Sequence, residues 1–244
     1  MSKLARHQVA MVYNGLNYPY APLPESNAAE RLRETARRLA SEHADRIETG
    51  FILHVGGNQW YKNRSGVIQI YEQLCQIMSA PPNLIMVGKP LTAELRHQLK
   101  RAQLEHRVIE LNTVSNEDLR TLYSAARLFL FPSSEEGFGW PIIEAQACGC
   151  TVVIARREPM REIGGDAAVC FEFENNVGRD GLPLSARSAQ SAAHIIKKTL
   201  IEDRQTKESR VHQGVSNAAR FSTTQMLDGY IDLYKGLLQG VTQS

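Results

Sequence analysis

From residue 50 onward, short apolar runs alternate with stretches of helical periodicity, and this alternation constrains the fold more than any other feature of the chain. Phe51-Ile52-Leu53-His54-Val55 is ended by Gly56-Gly57 and reads as a buried strand. Val67, Tyr71, Leu74 and Met78 then step by four, three and four residues, with Ile70 and Ile77 widening the stripe into a helical face. Residues 84–87, 107–111, 128–131, 151–154 and 167–171 repeat the strand pattern. Between them lie a polar helix over 92–104, a helix starting near residue 115 and another opened by Pro141. The start near 115 is a capping box, Ser115 with Asp118 three residues on, and Val114 and Leu119 are spaced for a hydrophobic staple. Strands and helices alternating at this spacing specify βαβ units. The expected fold is α/β: a doubly wound, mostly parallel six-stranded sheet with helices on both faces.

The two ends depart from that rhythm. Residues 8–13 read as a lone strand before an Asn14-Gly15 turn, followed by a Pro-rich stretch from 19 to 24 and a charged helix near 26–43. Residues 187–203 and 223–239 are helical. In the last helix Met226, Tyr230, Leu233 and Leu237 make one apolar stripe and Leu227, Ile231, Tyr234 and Leu238 its neighbour, a face wide enough to call for a partner surface. Residues 176–186, with Gly178, Gly181 and Pro183, read as a long surface loop.

Composition narrows the function classes. A net charge of +2 supplies no strong field for nucleic acid or an anionic membrane. No apolar stretch approaches the ~20 residues of a membrane span, and the first twenty residues lack a signal-type apolar region, so a cytoplasmic protein is expected. Cys148 and Cys150, one residue apart, have neither redox nor zinc-site spacing, and Cys75 and Cys170 are isolated. Buried thiols in a reducing compartment, with no disulfide or structural metal, are the expectation.

The residues with most chemical potential run from Ser134 to Ala145. This segment starts at the carboxyl end of an expected strand, where open α/β sheets bind ligands. Gly137 and Gly139 let backbone approach a ligand, and a helix beginning at Pro141 offers unpaired first-turn amides to a phosphate. The third glycine of a dinucleotide fingerprint is missing. The next strand leads to Ala155-Arg156-Arg157 instead of an acid, which disfavours a NAD-type site. Glu136 lies on the loop and Glu144 in the helix's first turn. For each, ligand contact stands beside a plainer reading: a solvated loop carboxylate for Glu136 and a helix-dipole partner for Glu144.

Two glutamates separated by seven residues, with Gly-Phe-Gly after the first and Ala after the second, resemble the donor-site motif of retaining GT-B glycosyltransferases. The flanks agree: Phe129-Leu130-Phe131-Pro132-Ser133 before, Ala147-Cys148-Gly149-Cys150-Thr151-Val152-Val153 after, and His54-Val55-Gly56-Gly57 followed by Lys62-Asn63 upstream. The resemblance spans about residues 8–240. It implies the Rossmann-like carboxyl-terminal half of a GT-B fold, residues 49–244, preceded over 1–48 by a remnant strand, hinge and linker helix. It also implies that Glu144 accepts from the nucleotide ribose hydroxyls, which two carboxylate oxygens suit. Glu136 contacts the transferred sugar near the reacting centre, and Lys62 neutralises the donor diphosphate. The amides of Gly137, Phe138 and Gly139 hold the distal phosphate and sugar, Val114 lies beside the base, and Gly56 and Gly57 line the donor.

Where many members of that family carry arginines this chain has Gly57 and Tyr61, which would leave neutralisation to Lys62 and Arg64. Trp140 stands where an aliphatic residue is usual. No D-x-D pair occurs, and a metal-independent transferase is expected, with a nucleoside diphosphate sugar as donor and no cofactor. The resemblance implies no acceptor-holding half within these residues. The resemblance therefore implies a donor-binding half that does not transfer sugar alone, with a separate acceptor-domain chain or self-association as partner. The alternative is a non-catalytic nucleotide-sugar-binding or regulatory module that pairs with another chain.

Overall fold

The computed structural model describes residues 10–174 and 184–241. Six strands, β1 (Phe51–Val55), β2 (Asn83–Val87), β3 (Val108–Leu111), β4 (Leu128–Phe131), β5 (Val152–Ala155) and β6 (Val169–Phe171), form one sheet in the order β3-β2-β1-β4-β5-β6. Every pairing is parallel. The order reverses between β1 and β4, and the crevice outside their carboxyl ends is where such sheets take ligands.

Alternate strand residues feed two apolar layers, as the period of two requires. Phe51, Leu53, Ile85, Val87, Phe129 and Phe131 pack on one side with α1 (Glu25–Ala40), α2 (Ala44–Glu48), α5 (Asn116–Ala125), α6 (Trp140–Ala147) and α7 (Met160–Gly164). Ile52, Leu84, Met86, Leu128, Leu130 and Val153 face α3 (Arg64–Ile77), α4 (Ala93–Arg101) and α8 (Ala186–Leu200) on the other. α9 (Arg204–Ala218) packs over α6, and α10 (Thr223–Val241) closes the described chain.

Ser115 caps α5 as expected, its hydroxyl accepting from the Asp118 amide at 3.1 Å. Val114 and Leu119 pack against the same apolar layer. α6 begins one residue early, at Trp140, with Pro141 second.

The amino-terminal strand expected over 8–13 is not formed. Residues 8 and 9 lie outside the described ones, and 10–13 make no ladder. Two of their side chains pack on helices instead, while Met11 stays exposed: the Tyr13 ring meets Phe221 edge-on at 5.5 Å, and Val12 lies against Gly229. The Leu16 amide donates to the Phe221 carbonyl at 2.8 Å, and no turn forms at Asn14-Gly15. An apolar run can be buried by a helix as readily as by a sheet, so alternation alone did not decide it. Residues 176–183 of the expected surface loop also lie outside the described residues. In α10 the apolar face is exposed: Leu227, Tyr230, Ile231, Tyr234 and Leu237 are 44–67% accessible.

Candidate functional site

The loops leaving β1 and β4 are tied together before any side chain reaches the crevice. Gly88, at φ 145°, sits so close to the exit of β1 that a Cβ there would stand 2.2 Å from the Gly56 carbonyl oxygen. After Gly56-Gly57 the chain makes a 3-10 turn, Trp60–Lys62. Asn63 caps α3 by accepting from the Gly66 amide, and its Nδ2 donates to the Pro132 carbonyl at 3.1 Å. The Ser134 amide donates to the Tyr61 carbonyl at 2.8 Å. These bonds hold Lys62 over the loop after β4.

Lys62 Nζ lies 2.7 and 3.0 Å from the two carboxylate oxygens of Glu136. The side chains are only 15% and 8% exposed. The ammonium also sits 5.3 Å from the Phe131 ring centroid and 5.5 Å from that of Tyr61, within cation–π range. Beyond Glu136, Gly139 at φ 101° turns the chain into α6, a conformation that glycine adopts without a Cβ penalty. Phe138 anchors this loop, meeting Trp140 at 5.6 Å and Phe221 at 5.7 Å edge-on. The Trp140 indole N–H donates to the Gly15 carbonyl at 3.1 Å, fastening the amino-terminal segment to the same loop.

Glu144 is the fifth residue of α6, not a first-turn residue, so the helix-dipole reading of it is corrected. It is 8% exposed, and burial pushes its carboxyl up to about 7. The Tyr123 hydroxyl, donating to Oε2 at 3.1 Å, and the charge of Lys62 both pull in the opposite direction. Lys62, Glu136 and Glu144 thus form one electrostatic group at the strand-order reversal.

Two buried cationic or basic groups stand behind them. His54 is fully buried; its Nδ1–H donates to the Leu130 carbonyl at 3.0 Å, and burial lowers its pKa to about 3, keeping it neutral. Arg64, 3% exposed, gives Nη1 to Asn58 Oδ1 at 2.6 Å and to the Lys89 carbonyl at 2.7 Å. Its Nε and Nη2 have no partner among the described residues.

The family model for glycosyl transferases group 1 matches residues 38–214, which include every one of these site residues. The chain belongs to this family. It is 33% identical over 187 residues to the O-antigen chain mannosyltransferase B of Escherichia coli, covering 74% of this chain and 45% of that protein. The fold superimposes on Anabaena HepE in complex with UDP at a TM-score of 0.71, with 22% identity over 92% of this chain and 57% of that one. It also superimposes on WaaG, a glycosyltransferase involved in lipopolysaccharide biosynthesis, at 0.69, with 15% identity over 93% of this chain and 57% of that one. The chain spans about half the length, or less, of the relatives it matches.

Within this glycosyltransferase fold the sequence-expected residues fall into three groups. Lys62, Glu136 and Glu144 converge, with Gly137, Phe138 and Gly139 continuing from Glu136 and Gly56 and Gly57 beside the Lys62 turn. Arg64 is drawn back between the loops leaving β1 and β2 by Asn58 and Lys89. Val114 packs at the start of α5 against the apolar layer that α5 and α6 share. Sequence reasoning missed Tyr123, whose signal was a tyrosine on the inward stripe of α5 with Leu119 and Leu122. It left Trp140 unexplained, for which Gly15 is the partner. Among the described residues no cluster of three or more His, Cys, Asp or Glu side chains could hold a metal ion, and no helix is long and apolar enough to cross a membrane. A concavity of about 960 Å³ lies away from Lys62, beside α7, β6 and α9. Arg156, Arg161 and Arg220 line it together with Glu158, Glu162 and Asp166. That near-balance of charge at the sheet edge offers no defined chemistry, whereas the reversal point does.

Proposed function

We propose that this chain is the nucleotide-sugar-binding half of a retaining glycosyltransferase, moving a sugar from a nucleoside diphosphate donor to an acceptor hydroxyl. The observation that carries the reading is the convergence of Lys62, Glu136 and Glu144 at the reversal between β1 and β4, beside the amino terminus of α6. Residues 49–244 act as the donor domain, and residues 1–48 as the hinge and linker before it. Glu144 accepts from the ribose hydroxyls. Lys62 and the amides of Gly137, Phe138 and Gly139 stabilise the charge that grows on the departing diphosphate, a contribution that needs no metal. Glu136 holds the sugar's hydroxyls and, before the donor arrives, keeps Lys62 in place. Arg64 adds positive charge from behind the loop and not by direct contact, since its side chain is buried. Val114 borders the base. Gly56 and Gly57 keep the strand exit open beside the phosphates.

Transfer needs an acceptor held against the anomeric carbon, and such positioning is worth ~7–11 kcal/mol of barrier. The expected behaviour of the chain alone is donor binding without efficient transfer, with a separate acceptor-domain chain or self-association completing the enzyme. The exposed apolar face of α10 favours a second reading, a non-catalytic nucleotide-sugar-binding module that pairs with another chain. A thermal-shift screen of UDP, GDP, ADP and their sugars tests the shared claim. Ligand at a hundred times its Kd stabilises by about 2.7 kcal/mol, a rise in Tm of roughly 5–10 °C. No shift with any of them overturns both readings; transfer restored by a supplied acceptor half selects the first.

A further inference from the structure

We propose that Tyr123 is a positioning residue for donor binding: its hydroxyl fixes one oxygen of Glu144 and thereby presents the carboxylate, ionised, to the nucleotide ribose. The inference rests on the ribose role assigned to Glu144 above.

Tyr123 is completely buried, and its hydroxyl finds its partner in Glu144 Oε2, at 3.1 Å. Its ring is clamped edge-on from both sides, by Tyr20 at 6.0 Å and Phe129 at 5.3 Å, so the hydroxyl has little freedom to look elsewhere. A phenol that served packing alone would be better replaced by phenylalanine, since a buried hydroxyl must be satisfied. Here it points at a carboxylate that burial drives toward the neutral acid, and it opposes that drive. The groups facing Glu144 are Tyr123 from α5, Lys62 from the turn after β1, Tyr20 from the amino-terminal segment and Cys148 one turn along α6. Burial pushes the Tyr20 and Cys148 groups up, so both are neutral near pH 7 and leave Lys62 and Tyr123 as the groups that favour the anion. A protonated Glu144 would offer a ribose one acceptor fewer, so the hydroxyl governs how much of the protein binds well at neutral pH.

The test is the affinity of the 244-residue chain for UDP, or for GDP if that binds tighter, measured by calorimetry from pH 5.5 to 9 for the parent, Tyr123→Phe and Glu144→Gln. The nucleotide's own phosphate titrates equally in every arm, so the ratio of parent to variant affinity is the readout. If the lost bond raises the Glu144 titration by about one pH unit, the Tyr123→Phe deficit is about fivefold at pH 7, nears tenfold below pH 6 and closes by pH 9. The Glu144 carboxyl carbon, followed by NMR in both proteins without nucleotide, should titrate about one unit higher in the variant. A deficit that is absent, or equal at every pH, with an unmoved carboxyl titration, makes Tyr123 a packing residue and overturns the inference. Glu144→Gln binding like the parent at pH 8 would instead overturn the ribose role itself.

Discussion

Lys62 and Glu136 hold one another in the site proposed to admit a doubly charged phosphate chain, and separating them yields a measurable energy. At 2.7 Å and an effective dielectric near 20, one such pair attracts by about 6 kcal/mol before desolvation. Taking both charges out of water offsets most of that, whereas removing a single partner strands the other. For fully buried pairs the stranding costs about 3–5 kcal/mol. With 15% and 8% of the side chains still exposed, about 2–3 kcal/mol is expected here. Lys62→Met and Glu136→Gln should therefore each lower Tm by roughly 4–10 °C, while the double variant recovers most of the loss. Thermal and urea unfolding of the four proteins closes the cycle, with an expected coupling of about 2 kcal/mol. The ligand arm is independent: Glu136→Gln frees Lys62, so nucleoside diphosphate should bind tighter while the corresponding nucleotide sugar gains less or weakens. Additive losses in the cycle, or weaker binding of the diphosphate itself, would refute the reasoning.

Three further outcomes follow from buried polar groups. The Glu144 carboxyl is raised from 4.5 to about 7, so between those values the folded state holds more proton than the unfolded one. Its contribution is full below pH 4.5 and lost as pH rises through 7; the stability of the parent relative to Glu144→Gln should fall by up to about 3 kcal/mol across that window in urea titrations. His54, lowered from 6.5 to about 3, acts in the opposite sense. It favours the fold above pH 6.5 and withdraws about 1.4 kcal/mol per pH unit below it, and its imidazole NMR signals should stay at the neutral position down to pH 5. Trp140→Phe keeps the ring contacts of the loop but loses the indole donor to Gly15, at a cost of about 1 kcal/mol, with faster amide exchange around residue 16 as the local sign.

Much of this molecule is legible in the chain because its elements are locally consistent. Runs such as residues 84–87 and 128–131 are apolar without interruption because both faces of a parallel strand are covered, and the capping box at Ser115 fixes the start of α5. The segment over 10–13 was not legible, since Val12 and Tyr13 are satisfied by α10 and Phe221 without a ladder. The candidate site was legible as residue types and not as contacts. Lys62 and Glu136 are 74 positions apart, and only the pairing of β1 with β4, with the Asn63–Pro132 and Ser134–Tyr61 bonds, brings them together. Tyr123 escaped notice for a related reason. A tyrosine on a buried helical stripe looks like core until the group that receives its hydroxyl is known.

The central claim, that the nucleotide donor binds at the reversal point between β1 and β4, is tested most directly by a crystal structure of the chain with bound nucleoside diphosphate. The account predicts ribose hydroxyls within hydrogen-bond distance of Glu144, and the diphosphate against Lys62 and the Gly137–Gly139 amides. A nucleotide found instead among Arg156, Arg161 and Arg220, with Lys62 still paired to Glu136, would contradict it.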